Sequence, residues 1–392
     1  MTNINKFRDE TPGTKNVIHF NNAGASLMPE DVSESVITYQ RKESRYGGYE
    51  TADNNRETIE QTYSTIAKFI HAEPNEIALL ENATAAWNMA FFSIDFRDGD
   101  RILTSKAEYA SNYLSYLRLK EKIDIQIEVV PNDDYGQTSV SSLKNMMDDN
   151  VKLISITHIP TNSGLVNPVE KIGEVAQKYN CFYLVDACQS IGQCPVDVQK
   201  MGCDMLSATG RKYLRGPRGT GFLYVKRDQL ENLLPPFIDL HAAEWTSESE
   251  YKIRTDARRF ENWEMNYANI MGLKKAVEYA DNIGIKRIWK RVTKLAEKLR
   301  WELAALPGIT VHDIGEIKGA IVTFTVDGIT APEVKNYLSK KGINVSTTSK
   351  SSTLLDMKER NLSHLVRASV HYYNTESEID QLIKALKDMA DR

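Results

Sequence analysis

From about residue 76 to residue 225 the chain repeats one pattern, a short apolar run followed by a stretch with helical spacing. The runs are IALL (77–80), RILT (101–104), IEVV (127–130), KLISIT (152–157), FYLV (182–185), DMLS (204–207) and GFLYV (221–225). Such runs, too short and too continuously apolar for a half-exposed strand, belong to strands buried on both faces. The stretches between them supply the covering helices, as in Pro168 to Tyr179, where Val169, Ile172, Val175 and Ala176 share one face. The expected fold is therefore α/β, with a mostly parallel sheet of about seven strands.

The pattern changes after residue 255. Two long helical patterns, roughly 264–281 and 284–305, lead to a break at Pro307-Gly308. AIVTFTV (320–326), a helix after Pro332, INVST, LVRASV (365–370) and a last amphipathic helix complete the chain. We read residues 1–255 as an N-terminal arm with a large domain, and 256–392 as a smaller α+β domain. HAAEWTSESEY (241–251) is expected to be a loop.

Composition narrows the partners. With 41% hydrophobic and 26% charged residues the chain is neither disordered, collagen-like nor disulfide-dense. Lys+Arg 49 against Asp+Glu 53 leaves a formal charge of -4, so no global basic field exists for nucleic acid, and an anionic ligand must be held locally. No apolar run approaches the ~20 residues that cross a bilayer. The opening MTNINKFRDETPG lacks the apolar core of a signal peptide. Cys181, Cys188, Cys194 and Cys203 fit no zinc spacing, and the seven histidines are scattered. The expectation is a cytoplasmic protein with reduced thiols, no metal and no membrane contact.

In an open α/β sheet, ligands bind beyond the carboxyl ends of the strands. After IALL comes Glu81-Asn82-Ala83-Thr84, a short polar turn that opens a helix and exposes unpaired N–H groups to an anion. Taken alone, this segment also reads as an ordinary Thr N-cap. After FYLV comes Asp186-Ala187-Cys188-Gln189, and a carboxylate at the rim of a buried strand needs a cation or strong donor. Alone, it reads equally as a helix cap or salt bridge. After DMLS comes Ala208-Thr209-Gly210-Arg211-Lys212, opening a Gly/Pro-rich loop that with Arg215 and Arg218 carries four cations in all and is neither a Walker A loop nor a GxGxxG fingerprint. Together they supply a phosphate seat, a buried acid, and a lysine 26 positions beyond it (212 minus 186). Pyridoxal 5'-phosphate requires this set: a lysine for its aldehyde, an acid to keep the pyridine nitrogen protonated, and donors for the phosphate.

The sequence resembles the class V aminotransferase family of fold type I, which includes cysteine desulfurases, selenocysteine lyase and isopenicillin N epimerase-like enzymes. HFNNAGAS (19–26), EYASN (108–112), THIPTNSGLVNPV (157–169), DACQS (186–190) and LVRASVHYYNTESEID (365–380) carry the resemblance. GRKYLRGPRGTGF, FENWEMNYA and VRASVHYYNT are most similar to the ergothioneine-biosynthesis C–S lyases. The resemblance implies Lys212 as the Schiff-base lysine and Asp186 as partner of the ring nitrogen. It implies Gln189, Thr161 and Asn162 near the ring hydroxyl, and Ala83, Thr84, Thr209 and Arg211 at the phosphate. Tyr109 stands where the family stacks a His on the ring; it preserves stacking but, with a phenol pKa near ~10, is a poorer proton shuttle. Arg367 is implied as the fork for a substrate α-carboxylate. Asn22 and Ala25 are implied on the substrate side, with a capping turn as the other reading.

Two departures shape the expected reaction. The segment Asn344 to Leu362, where desulfurases carry the cysteine that takes sulfur as a persulfide, has no cysteine. The family's R-F-E-x-G-T, whose Thr reaches the partner subunit's phosphate, here reads Arg259-Phe260-Glu261-Asn262-Trp263-Glu264. The resemblance thus implies a homodimeric lyase of a small, cysteine-derived amino acid, acting by β-elimination without a protein persulfide. An aminotransferase or epimerase, and a desulfurase or selenocysteine lyase, are the alternatives.

Overall fold

The computed structural model describes residues 4–390. The chain opens with helix α1 (Ile4–Asp9) and the two-residue strand β1 (Ile18–His19), followed by α2 (Glu30–Tyr46), α3 (Gly48–Asn54) and α4 (Arg56–Ile70). The alternating segment then delivers β2 (Ile77–Leu80), α5 (Ala83–Phe92), β3 (Arg101–Thr104), α6 (Ala110–Lys120), β4 (Gln126–Val129), α7 (Val140–Met146) and β5 (Val151–Thr157). It continues through α8 (Val169–Ala176), β6 (Phe182–Asp186), α9 (Val198–Met201), β7 (Met205–Thr209) and β8 (Gly221–Val225).

These seven strands form one sheet in the order β2-β8-β7-β6-β5-β3-β4. The pairs from β4 through β7 are parallel, and β8 runs antiparallel between β7 and β2. Successive residues of the central strands enter opposite cores. Ile154, Val185, Leu206 and Phe222 belong to one buried cluster, while Leu153, Leu184, Met205 and Leu223 belong to the other. Both faces are therefore covered, which is why the runs carry no polar alternation. Trp87 and Phe91 of α5 stack at 4.8 Å beneath Tyr116 of α6 and close the second face.

The stretch 241–251 is a correction. Instead of a loop it forms most of a hairpin, β9 (Ala243–Ser247) with β10 (Glu250–Ile253). Its residues are largely exposed on both faces, so no apolar period marked it. Helices α10 (Tyr267–Ile283) and α11 (Ile285–Ala304) follow, with α10 packed against α2 and α4. Then come β11 (Ile309–Val311), β12 (Ile321–Val326), α12 (Ala331–Lys340), β13 (Ile343–Asn344), β14 (Ser346–Ser349), α13 (Leu354–Glu359), β15 (His364–Ser369) and α14 (Glu376–Ala390). A four-stranded antiparallel sheet has the order β11-β12-β15-β14. INVST splits in two: β13 pairs in parallel with β1, and β14 forms the edge of this sheet. No helix among the described residues is long and apolar enough to cross a membrane.

The loop after β7 is clasped by both ends of the chain. Arg215 is 1% exposed and adopts φ 63°, uncommon for a residue with a side chain. Its guanidinium donates to Leu27 O at 2.8 Å, Thr11 Oγ1 at 2.6 Å and the Tyr372 hydroxyl at 2.5 Å, and lies 4.6 Å from the Tyr373 ring centroid. These partners satisfy a buried cation without a carboxylate bonded to it. Beneath the same loop, Gly192 has φ 86°, and a Cβ there would lie 2.4 Å from the Tyr213 carbonyl carbon. Gly192→Ala is therefore expected to destabilise the protein by about 2 kcal/mol or more, from backbone strain together with overpacking. Urea unfolding measures it, and a change below about 0.5 kcal/mol would contradict the packing described.

Candidate active site

At the carboxyl ends of β5, β6 and β7 lies a cavity of about 240 Å³. A larger hollow of about 450 Å³ lies at the opposite, amino end of the strands beside Lys152, Cys181 and Asp204. The smaller cavity is the candidate site, because the strand-end residues singled out above converge there.

One wall is the start of α5. Its N-cap is Asn82, not Thr84: Asn82 Oδ1 accepts from Ala85 N at 2.9 Å, and Asn82 O accepts from Ala86 N at 3.1 Å. The N–H groups of Ala83 and Thr84 therefore have no partner within the helix and lie at its positive end, beside the cavity. Thr209, the last residue of β7, and Arg211 also line it. The Thr209 hydroxyl donates to Thr220 O at 3.1 Å, and one arm of Arg211 donates to Gly24 O. Backbone N–H groups, a hydroxyl and a guanidinium around one hollow suit a phosphate.

Asp186 ends β6 and is 5% exposed. Its Oδ1 accepts from Cys188 N at 2.8 Å and its Oδ2 from Asn112 Nδ2 at 3.0 Å. Burial raises its pKa, opposed by those two donors and by the nearby charge of Lys212. Lys212 and Cys188 both line the cavity. Burial raises the thiol's pKa, with the positive charge of Lys212 acting against it. Tyr109 occupies the N-cap position of α6 and faces the same space. Thr161 and Gln189 complete the wall, with the Gln189 Oε1 atom buried and unpartnered.

Arg367, on β15, donates to Thr161 Oγ1 at 2.5 Å and Thr161 O at 3.2 Å. It stands just behind the wall. Its Nε is buried without a partner, and burial lowers its pKa.

Like Arg367, three further expected residues do not line the cavity. Asn162 turns toward the smaller sheet: its amide donates to Thr353 Oγ1 at 2.8 Å and Ser349 O at 3.2 Å, and its oxygen accepts from Thr348 Oγ1. Asn22 is committed to the turn after β1, donating to Ser369 O at 2.7 Å and accepting from the Tyr373 hydroxyl at 2.5 Å. Ala25 closes that turn, with its N–H on Asn21 O at 3.0 Å and its carbonyl 2.9 Å from His19 Nε2. For Asn22 and Ala25 the capping-turn reading describes the contacts.

The segment without a cysteine is docked at three places. Ala110 N donates to Ser352 O at 2.9 Å, Lys106 pairs with Glu359 at 2.5 Å, and Asn162 holds Thr353. The altered R-F-E region is structural here. Glu261 is buried and accepts from Leu79 N at 2.6 Å and the Tyr63 hydroxyl at 3.0 Å, with His241 Nε2 at 2.7 Å, while Trp263 is exposed.

Sequence reasoning assigned no role to Glu108. It is buried, with its carboxyl accepting from Thr157 Oγ1 at 2.5 Å, Asn112 Nδ2 at 2.8 Å, Tyr109 N at 2.9 Å and Thr104 Oγ1 at 3.0 Å. Burial, reinforced by the charge of Asp186, pushes its pKa up to about 7 against these donors. Its place one residue before Tyr109, with Asn112 four positions on, was the available signal.

The chain matches the family described as Aminotransferase class-V over residues 18–382. It is 29% identical over 389 residues to a probable cysteine desulfurase of Methanothermobacter thermautotrophicus, covering 98% of this chain and 97% of that protein. It is 30% identical over 387 residues to one of Borreliella burgdorferi, covering 95% and 92%. Among solved structures, the apo cysteine desulfurase of Thermococcus onnurineus NA1 superposes with a TM-score of 0.93 at 27% identity, over 99% of this chain and 98% of that one. The cystine C–S lyase C-DES, solved with its product cysteine persulfide, shares the fold with a TM-score of 0.87 at 23% identity, over 96% and 99%.

The raised Glu108 pKa carries a sign for stability. Between about 4.5, the ordinary value, and about 7, the folded state binds more protons than the unfolded one. This contribution is thus fully present below the ordinary value and lost as pH rises through the folded one. Glu108→Gln does not titrate, so its stability relative to the parent should rise from pH 5 to pH 8, by up to about 3 kcal/mol. Urea unfolding of the ligand-free proteins at both pH values checks this, and a pH-independent difference would refute it.

Proposed function

The chain belongs to the class-V aminotransferase family, and we propose that it is a pyridoxal 5'-phosphate-dependent lyase cleaving a C–S bond of cysteine or a cysteine-derived amino acid. The observation that carries this is the convergence of Lys212, Asp186 and the α5 N-terminus on one cavity, with no cysteine on the docked 344–362 segment.

The cavity fits the cofactor on its own chemistry. Asp186 is a buried carboxylate to which no cation is hydrogen-bonded, suited to a protonated ring nitrogen. Gln189 Oε1 is an unpartnered acceptor suited to a ring hydroxyl. The N–H groups of Ala83 and Thr84, with Thr209 and Arg211, would hold the phosphate. When bound, the cofactor supplies an electron sink for negative charge at the substrate Cα.

The residues divide the remaining work. Lys212 would hold the cofactor through its Nζ and, once displaced by the substrate amine, take the Cα proton. Asp186 would keep the ring nitrogen protonated. Tyr109 would cover the ring face. Arg367 would receive the α-carboxylate, leaving Thr161 to do so, since a guanidinium fork matches a carboxylate. Loss of sulfur from Cβ and hydrolysis then give pyruvate, ammonia and the sulfur compound. Burial keeps the Cys188 thiol protonated at neutral pH, and a thiol is a far weaker sulfur acceptor than a thiolate. A second reading, a desulfurase passing sulfur to Cys188, draws on that residue's place in the cavity and on the names of the relatives.

The same reading makes the protein a homodimer. Trp245 and Tyr251 on the hairpin, with Phe237, Leu240 and Trp263 beside it in sequence, are more than half exposed, an apolar concentration that a second copy would cover. Light scattering should give twice the chain mass, and a fully active monomer would reject this.

Borohydride should fix the cofactor on Lys212 in the parent, and Lys212→Ala should retain none after denaturation. A panel of cysteine, cystine, cysteine sulfinate and sulfoxide conjugates should yield pyruvate; a sulfur-containing keto acid with a pyridoxamine form and no pyruvate would favour an aminotransferase. Cys188→Ser should turn over nearly as fast as the parent, whereas loss of sulfur release with cofactor binding intact would favour the desulfurase. Arg367→Lys should raise KM about tenfold or more with a smaller change in kcat, since the lost fork is a hydrogen bond to a charged group worth about 1.5–3 kcal/mol.

A further inference from the structure

The Asn112 amide nitrogen has two hydrogens, and both are committed to carboxylates. One goes to Glu108 Oε1 at 2.8 Å and the other to Asp186 Oδ2 at 3.0 Å. Turning the amide over would set its oxygen against two acids, so the orientation of Asn112 is fixed. Asp186 alone selects the nitrogen, but it cannot set where the amide sits. Glu108 can, because it is held from three elements: Thr104 on β3, Thr157 on β5, and Tyr109 N with Asn112 at the start of α6. Its Oε1 accepts three donors and its Oε2 one, leaving the carboxyl no freedom to swing.

We propose that Glu108 is a positioning residue for the candidate site: it fixes the Asn112 amide, and through it the plane of the Asp186 carboxylate. This rests on the reading of Asp186 as partner of the cofactor's ring nitrogen. The same carboxyl accepts from Tyr109 N, so one buried group sets both the residue over the ring face and the residue at the ring edge. The titratable groups around it are Asp186 at the end of β6 and Tyr116 on α6, with Lys212 and Cys188 on the far side of Asp186. None hydrogen-bonds Glu108, so Glu108 reaches Asp186 by a hydrogen bond only through Asn112.

The test uses holoprotein loaded with cofactor labelled with 15N in the ring, whose chemical shift reports ring-nitrogen protonation. It also uses cofactor Kd, read by titrating cofactor-free protein, and the thermal midpoint. Glu108→Ala and Asn112→Leu should weaken cofactor binding about tenfold to a hundredfold, the range for a lost hydrogen bond to a charged group, and lower the pH at which the ring nitrogen deprotonates. Glu108→Gln keeps an oxygen for Asn112 and should restore Kd to within about threefold of the parent. A purely structural role would lower the thermal midpoint in Glu108→Ala and Asn112→Leu but leave Kd and the 15N shift unchanged, and that result overturns the proposal. If Glu108→Ala does not fold, Asn112→Leu against Glu108→Gln makes the same decision. Asp186→Ala separates the premises: an unchanged 15N shift there overturns the ring-nitrogen reading and this inference with it. A changed shift there, with Asn112→Leu matching the parent, overturns the role of Glu108 alone.

Discussion

A carboxylate at the end of a fully buried strand has to be answered by polar groups, and much of this structure is the answer. Asp186 cannot escape to water, because β6 lies in the middle of a seven-stranded sheet with its side chains packed into both cores. The backbone turns to present Cys188 N, α6 presents Asn112, and the loop after β7 brings Lys212 near. None of these is a full ion-pair partner. The carboxylate is thus left solvated by dipoles on one side and open to the cavity on the other, a state that favours a cationic ring edge.

The parts legible in sequence were those set by local pattern. The seven apolar runs became the seven strands within a residue or two, since burial on both faces leaves an unbroken apolar signature. Asp186 was legible because it follows such a run directly, and Lys212 because it stands in the loop five residues after one, so strand direction places both at one end of the sheet. What was illegible depends on contacts distant in sequence. Asn162 lies beside Thr161 in the chain, yet its amide faces Thr348 and Thr353 and closes the docked segment instead. Asn22 reads as a site residue until the Tyr373 hydroxyl, 351 positions away, takes its oxygen. Glu108 was passed over because nothing local marks it, and only the approach of Thr104 on β3 and Thr157 on β5 to the start of α6 makes it a buried hub. The hairpin at 243–253 was missed for the opposite reason, as exposed strands carry no apolar period.

Two kinds of rigidity meet at the site. Tyr109 is tied to Glu108 by its N–H, and Asp186 is linked to Glu108 through the Asn112 amide. The lysine loop is fixed from outside, by Gly192 beneath it and Arg215 within it. The segment 344–362 is fastened to the start of α6 and to Asn162. Preorganisation of this kind places reacting groups before a ligand arrives, so less ordering remains to oppose binding.

The Arg215 clasp also sets an order of events. Its guanidinium needs Thr11 and Leu27 from the beginning of the chain and Tyr372 from near its end. A polypeptide leaving the ribosome makes the seven strands long before residue 372 exists. During that interval Arg215 has Thr11 and Leu27 within the chain already made but lacks the Tyr372 hydroxyl and the Tyr373 ring. The cage around Arg215, within the loop that bears Lys212, is therefore completed only after the seven strands have been made.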